Sequence, residues 1–331
     1  AILYTTLCTT VAAHAHGDSG INGGIVLPAG VTLAAVDYNY TKYNSIPDAT
    51  LAALSEDDVE GVHSLEAISI PSLTLAYGVT PSFTIAVRLP YLYNQDIREP
   101  AHHHDDDHDG DGAGVVDLGG VHGFGDMTFT GTYQFLGEAT HGFTAALIAG
   151  IKAPTGPTDR RDDEGELFDT EHQPGSGSWD GILGVNATRS VGLLELSASA
   201  VYTFAGTGAR DTDVGDRFYY GIGASYRIWS SEPAGHDHGG NAHAAHDHAE
   251  SDTTSLDLLL GLEGEHQQKV DEAGDINQNT GGDIFYLTPG ARLTVGNMKG
   301  HIAVSLPIAE NLNGIQSNPN WRLSTGVSVQ F

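Results

Sequence analysis

The last eleven residues constrain this chain more than any other stretch. Across Trp321–Phe331, the residues Trp321, Leu323, Val327, Val329 and Phe331 share one parity, with Thr325 as their one polar member. Arg322, Ser324, Gly326, Ser328 and Gln330 take the other. Such alternation describes a β-strand with an apolar face and a polar face. A soluble protein has little reason to end this way. A closed barrel in lipid does, because its last strand must pair with its first and turn an apolar face to hydrocarbon.

The same pattern recurs along the chain and predicts about a dozen strands. It is cleanest in 83–93, 126–135, 194–204, 217–229, 256–265 and 301–308, and weaker in 30–40, 65–78, 142–152, 177–189 and 283–295. In 30–40 and 65–78 the parity changes, near Val36 and Pro71, as a bulge would produce. No run approaches the ~20 apolar residues of a membrane helix, and 43 glycines suit tight turns better than helices. Gap lengths alternate. Short turns at 78–81, 137–141, 190–192 and 296–300 face long gaps at 41–64, 94–122, 153–176, 205–214, 267–282 and 310–320; the long gap 230–253 breaks the rule. The expected fold is a transmembrane up-and-down antiparallel β-barrel of about 12 strands over 30–331, with turns and both termini periplasmic and long loops outside.

Ten charged residues fall on the polar, inward parity: Arg88, Asp126, Lys152, Asp180, Glu195, Arg227, Asp257, Glu263, Arg292 and Arg322. Charges of both signs are costly in a dry core and tolerable in a wet lumen. They are candidate pore-lining residues, and two readings stand: a selective lining, or salt bridges that fill a narrow barrel. Tyr38, Tyr40, Tyr91, Tyr93, Tyr133, Phe135, Tyr202, Phe204, Tyr220 and Trp321 lie near strand ends, as interfacial girdles do.

Two tracts concentrate histidine and carboxylate. One holds His102, His103, His104, Asp105, Asp107, His108 and Asp109; the other holds His236, Asp237, His238, His243, His246, Asp247 and His248. Imidazole and carboxylate suit zinc first, then nickel, copper or cobalt. Both tracts are low in complexity, which fits metal capture by interchangeable ligand sets better than one rigid centre; the plainer alternative is a solvated acidic linker. Asp105-x-Asp107-x-Asp109-Gly110 begins like a calcium loop, but its twelfth position is Val116, not Glu, which leaves at most a weak calcium site. No cofactor is required by any of these features. There is no HExxH, no G-x-S-x-G elbow and no phosphate-binding glycine loop, so the chain is not expected to be an enzyme.

A net charge of −29 with 14 Lys+Arg argues against nucleic acid as a partner. It favours cations, either divalent metal or the ions that bridge lipopolysaccharide. The one cysteine, Cys8, excludes an internal disulfide. Residues 1–15, ending Ala13-His14-Ala15, look like the end of a secretory signal peptide, and 16–29 then form an N-terminal periplasmic segment.

Several segments resemble one family. They are Gly123-Phe124-Gly125-Asp126, Ile148–Gly156 with its Lys152-Ala153-Pro154, Pro174-Gly175-Ser176-Gly177-Ser178-Trp179-Asp180, Leu287-Thr288-Pro289-Gly290-Ala291 and Val304-Ser305-Leu306-Pro307-Ile308. In this order they resemble the outer-membrane channels named for meta-pathway phenol degradation, over about residues 25–331. The terminal Phe331 likewise resembles the ends of bacterial outer-membrane barrels, where the barrel-assembly machinery reads it. The resemblance implies a monomeric or weakly oligomeric barrel that passes small solutes, hydrophobic ones among them; the partners expected of such a barrel are outer-membrane lipid and lipopolysaccharide. The histidine tracts are additional to it and tilt the expectation to a passive channel or capture protein for divalent transition metal, zinc above all. The alternatives are a channel for small aromatic or hydrophobic molecules, and a closed barrel whose loops only bind metal or a partner.

Overall fold

The computed structural model describes residues 26–57, 59, 61–101, 114–231 and 253–331. Its strands are β1 (Thr32–Asn44), β2 (Ala67–Thr80), β3 (Phe83–Pro100), β4 (Val115–Phe124), β5 (Met127–Leu136), β6 (Thr144–Ala153), β7 (Asp180–Val191), β8 (Leu194–Phe204), β9 (Thr212–Asp213), β10 (Arg217–Ser230), β11 (Thr254–Gln267), β12 (Asp271–Glu272), β13 (Asp275–Ile276), β14 (Gly282–Val295), β15 (Met298–Leu312) and β16 (Asn318–Gln330). Twelve of them, all but β4, β9, β12 and β13, close into one antiparallel barrel, β16 pairing back onto β1 with Leu33 opposite Gln330 and Tyr40 opposite Leu323. Closure removes both sheet edges, the condition for placing strands in hydrocarbon. The ends of the barrel are tied by Thr32 N–H to Phe331 O at 2.8 Å and Phe331 N–H to Thr32 O at 2.9 Å.

The alternation of the terminal strand holds. Arg322, Ser324 and Ser328 are buried on the inside, while Val327 is exposed on the outside. Around the wall Leu75, Ile85, Phe129, Leu147, Leu183, Ile222, Leu260, Leu287 and Ile302 face outward in the same way. Tyr77, Tyr93, Phe124, Phe135, Phe204 and Trp229 add exposed aromatic rings, the composition of a lipid-facing belt with its girdles.

Three local expectations are corrected. The parity changes near Val36 and Pro71 are not bulges. Pairing of β1 with β2 runs unbroken from Thr32 opposite Tyr77 to Lys42 opposite Ala67. What changes is the interior that these strands meet. Leu33 and Ala35 point inward onto Leu27, Ala76 and Ala86 near the turn end. Ile68 and Ile70 point inward onto Tyr43, Leu65, Leu92, Ile97, Val121 and Phe168 near the loop end. Between these apolar clusters the inward residues turn polar, so one continuous strand mimics a register slip. Second, both flanks of the 94–122 gap are strand: β3 runs to Pro100, and β4 pairs with its loop-end half (Tyr91 opposite Phe124, Pro100 opposite Val115) while β5 pairs with Phe83–Arg88. The pair β4–β5 therefore behaves as one strand interrupted at Gly125-Asp126. Third, the 41–64 gap contains a helix, α1 (Asp48–Glu56), which buries Leu51 and Leu54 against Ile46 and Val62.

Candidate functional site

The lumen is built as three knots of charge. The first joins β5, β6 and β7. Lys152 Nζ lies 2.6 Å from Asp180 Oδ2 and 3.4 Å from Asp126 Oδ2, and it donates to Ser176 Oγ at 2.6 Å. Asp126 accepts from the N–H groups of Gly156 and Ser176, both at 2.9 Å, and from Ser176 Oγ at 2.8 Å. Three of the five segments whose motifs carried the family resemblance thus meet at one point. Their pattern exists because it pins the 154–179 loop into the barrel.

Close backbone approach enforces the glycines here. A Cβ on Gly175 would sit 2.3 Å from the Gly156 carbonyl oxygen, with no side chain that could yield. Gly175→Ala is therefore expected to push the two arms of the loop apart, cost about 1–3 kcal/mol and open 154–179 to protease in the otherwise intact barrel. Limited proteolysis followed by mass spectrometry reads this, and wild-type cleavage kinetics would refute it.

In the second knot, Asp257 on β11 lies between two guanidinium groups. Arg292 Nη2 is 3.0 Å and Arg227 Nε 2.9 Å from its carboxylate, and Glu195 stands 3.7 Å from Arg292. Asp257 is buried, while Arg227 and Glu195 are partly open at the turn end. The third knot is Arg322 on β16, which donates to both oxygens of Glu265 at 2.8 and 2.7 Å and stacks 4.3 Å over the Tyr286 ring. Beside it Glu263 accepts from Thr288 Oγ1 at 3.2 Å. Arg88, also buried and inward, lies opposite Thr74 and Thr128. Of the ten charged positions picked out by parity, Arg227 and Glu195 stay partly exposed. Eight are buried, and Lys152, Arg292 and Arg322 each face a carboxylate within 3.0 Å. Glu265, which completes the third knot, was missed as a site residue although it shares the inward parity.

At the loop end, a further cluster had no sequence signal. His63 follows α1, Glu99 is the penultimate residue of β3, and Asp169, Glu171 and His172 lie on the 154–179 loop. His63 Nε2 is 3.0 Å from Glu99 and 3.2 Å from Asp169, and its Nδ1 is 3.3 Å from Glu171. The rings of His63 and His172 meet edge to face at 4.5 Å. Single donor atoms of His63, Asp169 and His172 all fall within 4.8 Å of one another. Burial pulls the His63 imidazolium down, but the hydrogen bonds it donates to Asp169, Glu171 and Glu99 outweigh it and hold its pKa well above the usual value. Burial, reinforced by the charge on His63, drops His172 to about 4, so this ring is neutral near pH 7. Burial and then the charges of Glu171 and Asp169 raise Glu272, on β12, to about 7. No helical or short-range spacing links these residues, so the sequence offered only the Glu171-His172 dipeptide next to the Pro174 motif.

The two histidine tracts, 102–109 and 236–248, lie outside the described residues. On the outer wall, β2, β3, β5 and β6 form an apolar concavity of about 900 Å³, floored by Gly131 and Ala149 and rimmed by Leu75, Tyr77, Phe83, Ile85, Phe129 and Ile151.

A closed twelve-strand barrel with an apolar outer belt and a charged interior is a bacterial outer-membrane β-barrel. The chain belongs to the family described as "Putative MetA-pathway of phenol degradation", whose model matches residues 104–308. Among solved structures, it is similar to the COG4313 outer membrane channel from Pseudomonas putida F1, with a TM-score of 0.58 and 16% identity over 95% of this chain and 98% of that one. It is also similar to the toluene transporter TbuX from Ralstonia pickettii, with a TM-score of 0.43 and 11% identity over 97% and 94% of the two chains. No curated protein sequence matches it.

Proposed function

We propose that this barrel is a passive outer-membrane channel for small aromatic or otherwise hydrophobic molecules. In this reading the short turns and both termini are periplasmic and the long loops face outside. The observation that carries it is the apolar concavity of about 900 Å³ between Phe83, Phe129, Tyr77 and Ile151, within the size range of sites that take small ligands. It gives an apolar solute a place where the barrel wall meets hydrocarbon. The family's description, with its reference to phenol degradation, supports the same solute class. The lumen supports it from the other side. Charges paired at 2.6–3.0 Å, such as Lys152–Asp180 and Arg292–Asp257, spend their field on each other and leave less to draw ions through. No step of this function makes or breaks a covalent bond. Capture of divalent metal by the 102–109 and 236–248 tracts is a separate proposal about what the loops collect.

The test is flux across asymmetric bilayers with a lipopolysaccharide leaflet. The protein is expected to raise phenol or toluene entry several-fold over empty bilayers. Ala149→Trp, which fills the concavity from its floor, is expected to remove most of that gain, and replacement of the tract histidines none of it. Zinc flux without faster phenol entry would overturn the reading in favour of a metal channel.

A further inference from the structure

We propose that His63, Asp169 and His172 form a binding site for one divalent transition-metal ion of the zinc class at the loop end of the barrel. The solute reading is not needed for it. The donor set is the first argument. Two imidazoles and a carboxylate are a standard zinc environment, and here they are gathered from two separate segments, with His63 and His172 buried. Donor atoms around a four-coordinate ion with bonds of ~2.0–2.2 Å stand ~3.3–3.5 Å apart. The spacing within 4.8 Å therefore needs closing by about an ångström.

The second argument is what the cluster lacks. Both ring nitrogens of His172 are buried with no hydrogen-bond partner; His172 is 1% exposed. Orphaned buried polar groups are unfavourable and call for a ligand. With the ion in place of the proton on His63 Nε2, which is released to solvent on binding, Glu171 at 3.3 Å from Nδ1 occupies the place of the carboxylate that orients a ligating imidazole.

Charge is the third argument. Glu99, Asp169 and Glu171 crowd His63. Three carboxylates thus surround one imidazole, with the Arg210 guanidinium engaged on Thr170 and the Phe168 carbonyl, and a divalent cation would supply further positive charge there. Bound there, the ion would join the segment after α1 to the 154–179 loop and hold the mouth in one arrangement.

The tracts would bind metal too, so the experiment uses full-length, tag-free protein in which His102, His103, His104, His108, His236, His238, His243, His246 and His248 are all replaced by Asn. After dialysis against micromolar zinc, elemental analysis is expected to find about one ion per chain, and cobalt is expected to give the visible absorption of a tetrahedral site. Adding His63→Asn and His172→Asn should remove that ion. Asp169→Asn should weaken binding roughly 10–100-fold or more, Glu171→Gln roughly 10–100-fold as an orienting partner does, with the β-sheet circular dichroism unchanged in each. If the double variant fails to fold, His172→Asn alone carries the test. A tract-free protein without zinc, or one whose zinc survives loss of His63 and His172, overturns the proposal.

Discussion

Lys152→Met is expected to lower the free energy of unfolding by about 3–5 kcal/mol, the range found when one partner of a buried ion pair is removed. Lys152 stands between Asp126 and Asp180, 2% and 5% exposed, at 3.4 and 2.6 Å. Taking the ammonium away leaves two carboxylates facing each other without a counterion. It also frees Ser176 and Ser178, which the ammonium now binds at 2.6 and 3.3 Å, so the 154–179 loop should detach from the wall and raise ion conductance in planar bilayers. Adding Asp126→Asn and Asp180→Asn should recover most of the stability, because removing a whole buried charge set is close to neutral. Recovery of the loop should be poorer, since an amide cannot accept from two N–H groups and a hydroxyl as a carboxylate does. Urea unfolding in lipid vesicles measures the first effect. A loss within about 0.5 kcal/mol, as for a surface change, would mean that water reaches the knot and the charges are not dependent on one another.

Arg322→Met should cost a comparable amount, about 3–5 kcal/mol. The guanidinium holds both oxygens of Glu265 at 2.8 and 2.7 Å and covers the Tyr286 ring at 4.3 Å. Without it, Glu265 and Glu263 remain as two buried carboxylates on neighbouring inward positions of β11. Arg322→Met with Glu265→Gln should be markedly more stable than Arg322→Met alone. Arg322→Lys should rescue only part of the loss, because a point charge cannot reproduce the planar two-toothed contact. Because β16 closes the barrel, the single variant should also fold more slowly into vesicles, and gel-shift kinetics of folding would read that. Equal stability of Arg322→Met and the double variant would exclude a dependence of Glu265 on Arg322.

How much of this was legible follows from the range of each signal. The inward charges were readable because parity is a local property: Asp126, Asp257 and Arg322 announce their face from their immediate neighbours. Their partners were not. That Lys152 meets Asp180 and not Glu195 depends on the register of β6 against β7, where Lys152 sits opposite Asp180. The apolar inward residues Leu33 and Ile70 misled for the same reason. Alternation assumes that the interior is uniform, and here it changes from apolar at the ends to polar between them. The start of β4 is hidden in the sequence because Gly119 and Gly120 interrupt the pattern, although β3 continues to Pro100 and supplies its partner.

The sequence alone determined that the chain closes into a barrel in lipid, since two-residue periodicity with an apolar face needs nothing beyond the geometry of a strand and the absence of water in hydrocarbon. Only the tertiary structure decided which charges neutralise each other and that His63 meets Asp169 and His172. Those pairings are set by strand register and by a loop folding inward across more than a hundred residues of chain, and no local pattern encodes either.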